Sequence, residues 1–339
     1  MTDIGFGPRD RQGPKLPRPG TPARLPGSVR RTSTFDGLHP QGQSGPVELR
    51  LRARDLRTGI DGEVVEIGRV SVTIVVDRER GVLEIEAEPA DDRLRQLLGA
   101  SPYSGWRRTV DELLAGDLQR QSLLYPMLDA VPAWMVLSSF GLADMPSAGR
   151  SEASLGAPYA RTFDVSSRVD LCAGWQRGGT LLQLLSAGHN SADFVRPEAP
   201  PLDLVGDPLS WHDFDALPIY GSRRYRRVDV IGGHPLSIDA MFRDTSVNRN
   251  GVEGVLHEYE VTAAVDPATW TVTRATALPR SLPFEECPQA QVSSTQLVGH
   301  DVRDMRRYVG REMRGTTTCT HLNELYRTFA DVEALTDFL

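Results

Sequence analysis

Apolar and polar positions along the chain fall into two successive sets of the same pattern. Val47, Leu49, Leu51 and Ala53 alternate with polar residues, the period of a strand with one buried face. Residues 64–76 and 82–87 follow as a hairpin turning at 77–81, and helical stretches come next near 91–98, 105–115 and 119–131. The second set has strands near 224–230, 236–243, 255–265 and 270–277, then helices near 288–298, 301–314 and 320–334. Leu322, Leu325, Tyr326, Phe329 and Val332 form one apolar helical stripe. Strands followed by helices predict an α+β class: two tandem related modules, each an antiparallel sheet with helices packed on one face. The first module spans 30–145 and the second 223–339. Residues 146–222 join them as an irregular segment, rich in proline in its later part, whose Trp175, Trp211, His212 and Tyr220 suggest a folded cover. Residues 1–29, with six prolines and five glycines, predict a disordered tail.

The two sets also share residues in collinear order, the mark of an internal repeat. Arg30-Arg31 matches Arg226-Arg227, and Gly37-Leu38-His39-Pro40 matches Gly232-Gly233-His234-Pro235. Arg54-Asp55 matches Arg243-Asp244, and the same offset of 189 carries residues 72–77 onto 261–266. Gly99 matches Gly299. Arg107-Arg108, Gly116 and Leu123 match Arg306-Arg307, Gly315 and Leu322 at a shared offset of 199.

Composition excludes several classes. A hydrophobic share of 40% with 24% charged residues is that of a soluble globular protein. No apolar run reaches the ~20 residues that span a bilayer, and no apolar secretory signal opens the chain, so the expected location is cytoplasmic with no membrane partner. A net charge of −7 gives no basic field for nucleic acid. Lys15 is the only lysine among 38 basic residues. Three cysteines are too few for a disulfide framework.

The repeat makes an internal comparison for chemistry. Cys319 corresponds to Arg120, His321 to Ser122, Glu324 to Tyr125 and His257 to Gly68. Cys287 lies in a stretch that the first copy largely lacks, because Asp266 to Gly299 spans 33 residues and Asp77 to Gly99 only 22. The first copy keeps scaffold residues and none of the reactive ones, which points to a site in the second module. With Thr320 as N-cap of the last helix, Cys319 sits at a positive helix end that stabilises thiolate. His321 supplies a base or a ligand. Cys319, His321 and Glu324 are thus catalytic candidates. Cys287, Cys319, His321 and His257 form a candidate metal set of the type that holds zinc or iron. Cys172 reads as packing. A buried thiol and a histidine bonded to a loop carbonyl remain the bland alternative.

Residues 223–339 resemble the bacterial domain-of-unknown-function family numbered 2889. The likeness rests on Arg226-Arg227-Val228-Asp229-Val230, Val255-Leu256-His257-Glu258, Cys287, Leu297-Val298-Gly299 and the segment from Gly315 to Leu325. That segment typically reads G-x-x-G-C-T-H-L-x-E-L in the family; here Thr318 stands in place of the second glycine. The resemblance implies site positions and no reaction. A fainter likeness is to NifU-type iron–sulfur scaffolds, which also run from a hairpin into a Cys-led helix. The order here is Cys-x-His, and the scaffold's middle cysteine has no counterpart. Three readings follow: a small-molecule enzyme with a Cys/His site, metal-assisted or not; a non-catalytic binding module; and a metal or iron–sulfur carrier.

Overall fold

The computed structural model describes residues 11–77, 79–120, 122–137, 145, 165–189 and 194–339. Arg78 of the expected first turn, Gln121 of an expected helix, residues 1–10 of the expected tail, and 138–144, 146–164 and 190–193 lie outside them.

Eight strands make the frame: β1 Ser28–Leu38, β2 Val47–Thr58, β3 Val64–Asp77, β4 Gly81–Glu88, β5 Ser222–Ile231, β6 Leu236–Val247, β7 Glu253–Asp266 and β8 Thr271–Ser281. The expected α+β class holds. The two expected sheets, however, are one antiparallel sheet in the order β4-β3-β2-β1-β5-β6-β7-β8. Each meander would otherwise leave β1 or β5 with an unpaired edge, and the two edges satisfy each other. All eleven residues of β1 are buried, so this seam is the centre of the molecule.

The registers of the two halves coincide. A bulge places Ile67 of β3 opposite the step from Asp55 to Leu56, and Leu256 of β7 opposite the step from Asp244 to Thr245, at the offset of 189 read from the sequence. Gly99 and Gly299 both adopt positive φ, and each donates its N–H back to the strand after the hairpin turn, at Val82 and Val272. The arginine match is displaced, however. Arg31 lies opposite Asp55 and Arg224 opposite Asp244, so Arg30-Arg31 corresponds to Arg223-Arg224 rather than to Arg226-Arg227. A run with four arginines offers two alignments, and only strand pairing selects between them. Across the seam, Arg30 grips Asp229 (2.6 and 2.8 Å) while Arg223 grips Asp36 (2.6 and 2.7 Å), each bidentately. These pairs are buried, where removing one partner costs far more than removing both.

Helices cover one face. They include Trp106–Leu113 and Leu124–Asp129 from the first half, and Met305–Glu312 and Thr320–Arg327 from the second. The first half packs Phe35, Leu49, Leu51, Val72 and Ile74 under Trp106, Val110 and Trp134. The second packs Phe242, Tyr259 and Val261 under Leu322, Leu325, Tyr326 and Phe329, the predicted stripe. Between the helix layers, Asp129 is held by Arg327 (2.7 and 2.6 Å) and by Arg107, which also reaches Glu324 at 2.9 Å. The opposite face is covered by the later connecting segment. His212 is wedged between Thr32 and Thr34 of β1, at 2.9 and 3.0 Å, and Trp211 donates to Thr21.

Residues 11–29 are ordered, in contrast to the expected tail. Lys15 forms a bridge with Ser281 at the outer edge of β8, flanked by Leu282 N–H to Pro14 O (2.7 Å) and Leu16 N–H to Arg280 O (3.2 Å). Arg18 pairs with Glu260 and gives its backbone N–H to Glu258. Proline and glycine content hid these contacts because the segment uses the edge of a distant strand as its partner. Among the described residues no helix is long and apolar enough to cross a membrane.

Candidate functional site

The bulge at Asp244 and the turn before the last long helix build the site from opposite sides. Gly315 at φ 81° lets the chain turn tightly, and Thr318 closes the turn through Oγ1 to Gly315 O (3.0 Å). Cys319 then takes extended backbone angles and is itself the N-cap, with the expected cap, Thr320, as the first helical residue. Asn323 ties the helix start down by donating its side chain to Met313 O (2.8 Å). His321, in the first turn, points down onto the sheet.

There it meets Asp244. His321 Nδ1 lies 2.7 Å from Asp244 Oδ2, and Arg224 holds the same carboxylate from the other side (2.6 and 2.8 Å). Burial opposes ionisation of Asp244, but Arg224 and His321 prevail and hold its pKa well below the usual carboxylate range. An ionised carboxylate can only accept, so Nδ1 of His321 carries the proton and Nε2 is left as an acceptor. Burial keeps the His321 pKa below its ordinary value despite Asp244, so the ring is neutral. His257, directly across from Asp244 in β7, packs against His321 with ring centroids 3.8 Å apart and the rings tilted by 39°. Burial, and then His321, push its pKa well down too.

The first half shows why it has no such site. Asp55 keeps its arginine, with Arg31 at 2.8 and 2.7 Å, but the position of His257 is Gly68, and Leu123 fills the space beside it. The Arg–Asp pair is therefore scaffold in both halves, and the second half adds imidazoles to it.

A cavity of about 760 Å³ opens beside the two histidines. Its walls are mostly apolar and come from Val255 and Leu256 of β7, Phe284 after β8, Leu181 and Leu185, and Ala173 to Trp175 of the connecting segment. The described part of that segment is tied to the site by Ala173 N–H to Thr318 O (2.9 Å). His257, Cys287, Cys319, His321 and Glu324 all line the cavity, so the sequence candidates lie around one space. Cys172, which reads as packing in the sequence, lines it as well.

Three expectations change. The metal set of Cys287, Cys319, His321 and His257 is not assembled. Among the described residues, the group of three or more ligand atoms within 4.8 Å of one another is Asp244, His257 and His321, with neither thiol. Cys319 is not a stabilised thiolate either. The N–H groups of Leu322 and His321 favour its anion, but burial outweighs them and pushes its pKa up to about 12. Burial raises Cys287 and Cys172 as well. Glu324 faces the cavity, yet Arg107 at 2.9 Å makes it part of the ion network between the halves. Sequence reasoning overlooked Asp244, whose match to Asp55 placed it among the residues common to both halves, Arg224, for which it offered no match, and Lys15, hidden in a proline-rich stretch.

The thiols give a direct check. At about pH 8, alkylation of the native protein should modify all three cysteines at least a hundredfold more slowly than alkylation of the unfolded chain. Peptide mapping reads each site. Rapid native labelling of Cys319 would restore the nucleophile reading.

Comparison with known proteins extends the picture by one fact. Residues 222–335 match a family described as "Protein of unknown function (DUF2889)". The match runs from the first residue of β5 into the last helix, Val332–Thr336, so it covers the half that holds His257, Cys287, Cys319 and His321. No curated protein matches the chain. No solved structure matches it either.

Proposed function

We propose that the protein is a small-molecule enzyme in which His321, oriented by Asp244, moves a proton at the polar end of a mostly apolar cavity. One observation carries the reading: the 2.7 Å contact between Nδ1 and an ionised carboxylate, in a histidine that lines a cavity of about 760 Å³. That contact fixes the tautomer and presents a neutral Nε2 as base, an arrangement general acid–base catalysis requires. A cavity of this size holds a ligand of ordinary metabolite or drug dimensions. The cysteines, held as neutral thiols, act here as wall. We further infer that the two halves arose by duplication, from the coincident bulges and paired Arg–Asp contacts, and that the second half acquired the chemistry.

The test compares native protein with His321→Gln on a panel of apolar aldehydes, ketones, esters and thioesters, followed by NMR for turnover and solvent-deuterium incorporation. With a responsive compound, the variant should lose about 10²–10⁴-fold in rate at an unchanged thermal midpoint. Compounds that bind in the native cavity yet undergo no change would support the non-catalytic binding module instead.

The Asp244, His257 and His321 cluster favours one second reading, a zinc or iron site. The donor types suit such an ion. The Arg224 guanidinium, seated on both carboxylate oxygens, opposes it, because a cation there would meet a fixed positive charge. Stoichiometric metal in anaerobically purified protein, absent from His257→Ala, would decide for that reading and for a metalloenzyme or carrier.

A further inference from the structure

The chain's single lysine reaches the same cavity from the far end of the sequence. Lys15 sits on the N-terminal strap against the edge of β8, and its side chain forms part of the cavity wall together with Phe284, Cys287 and His257. Its Nζ donates to the backbone carbonyl of Leu282 at 2.8 Å. Among the described residues no carboxylate forms an ion pair with it, whereas most of the described arginines are matched to acids, as Arg18, Arg30, Arg31, Arg223, Arg224 and Arg243 are. Arg196, a charge of the same sign, also lines the cavity. Half-burial, and then Arg196, hold its pKa down at about 8, with the Cys287 side of the cavity working in the opposite direction.

An ammonium without a counter-charge in an apolar wall is a poor structural anchor. It is a good amine, because the features that disfavour its charge expose the nitrogen lone pair. We propose that Lys15 forms an imine with an aldehyde or ketone of apolar body bound in the cavity. The inference rests on the cavity of the proposed function and names its substrate class, but it does not depend on His321 being the base.

The step balances without redox. The lone pair of the neutral amine attacks the carbonyl carbon, and the C=O π pair moves to oxygen. The two amine protons pass to that oxygen, which leaves as one water, and the nitrogen lone pair forms C=N. His257 lines the same cavity as Lys15. One further proton, taken from solvent, converts the neutral imine to an iminium, which acidifies the neighbouring carbon and gives a base such as His321 a proton to take.

The probe is hexanal with sodium cyanoborohydride, applied to the full-length native chain near neutral pH, with intact mass and peptide mapping as readout. With a single lysine in the sequence, the α-amine at the N-terminus of the protein used serves as internal reference. We expect one hexyl group on Lys15, added with saturable dependence on hexanal and about a hundredfold faster than to Lys15 in the unfolded chain. Lys15→Arg should abolish that addition and keep the thermal midpoint. In His321→Gln the Lys15 adduct should persist, so loss of turnover in that variant tests the base while the adduct tests the amine. Labelling of Lys15 no faster than in the unfolded chain, or without saturation, would overturn the proposal and leave Lys15 as a tie between strap and sheet.

Discussion

Asp244→Ala should destabilise the protein by about 3–5 kcal/mol, the cost of stripping a buried arginine of its carboxylate. Arg224 is buried beneath the last long helix, and both of its bonds to Asp244 are lost. Asp55→Ala should cost a comparable amount, because Arg31 is gripped in the same way at the equivalent bulge; Arg31 keeps Asp331 at 2.9 Å, so its loss should be the smaller of the two. Urea denaturation measures both. The variants then part company in function. Asp244→Ala also frees Nδ1 of His321 and should change its tautomer, visible by NMR of the imidazole nitrogens, whereas Asp55→Ala should leave that signature intact. Combining Asp244→Ala with Arg224→Leu should recover much of the lost stability, since no unpaired charge remains. A single-variant cost below about 1 kcal/mol would mean that water reaches the pair and that the orientation of His321 does not depend on it.

Acidification should destabilise the fold well before most carboxylates titrate. Three buried histidines, His212, His257 and His321, are held below their ordinary pKa, the first by burial and the surrounding arginines to about 3. A depressed folded pKa means that the unfolded chain takes up a proton that the folded protein refuses. The stabilisation is therefore complete above about pH 6.5 and falls as pH drops, by up to about 1.4 kcal/mol per pH unit for each histidine. For His212 the loss continues down to about pH 3. Denaturation midpoints at about pH 8, 6 and 5 should show a plateau and then a steep decline. His212→Gln, which keeps hydrogen-bonding capacity towards Thr32 and Thr34, should reduce the slope by about a third. A midpoint that stays level between pH 6.5 and 5 would show that these rings are protonated in the fold.

Much of this protein was legible before folding was considered. Period-two alternation located Val47 to Ala53 in β2, and the helical stripe from Leu322 to Val332 located the packing face of the last helices, because both patterns are local consequences of backbone geometry. The offset of 189 equals the spacing between the two register shifts. Absence of counterparts in the first half singled out His257, Cys287, Cys319 and His321, and all four line one cavity. What the sequence left open depended on contacts between distant segments. Whether β1 and β5 would close on each other, which arginine pair faced which aspartate, and where residues 11–29 would lie are decided by partners some 20 to 270 positions away. The same holds for the chemistry. Residue types alone favoured a thiolate at Cys319, because a helix N-terminus stabilises an anion. The tertiary structure reversed that sign by removing the thiol from water, and it seated His321 on an aspartate that also holds a strand arginine.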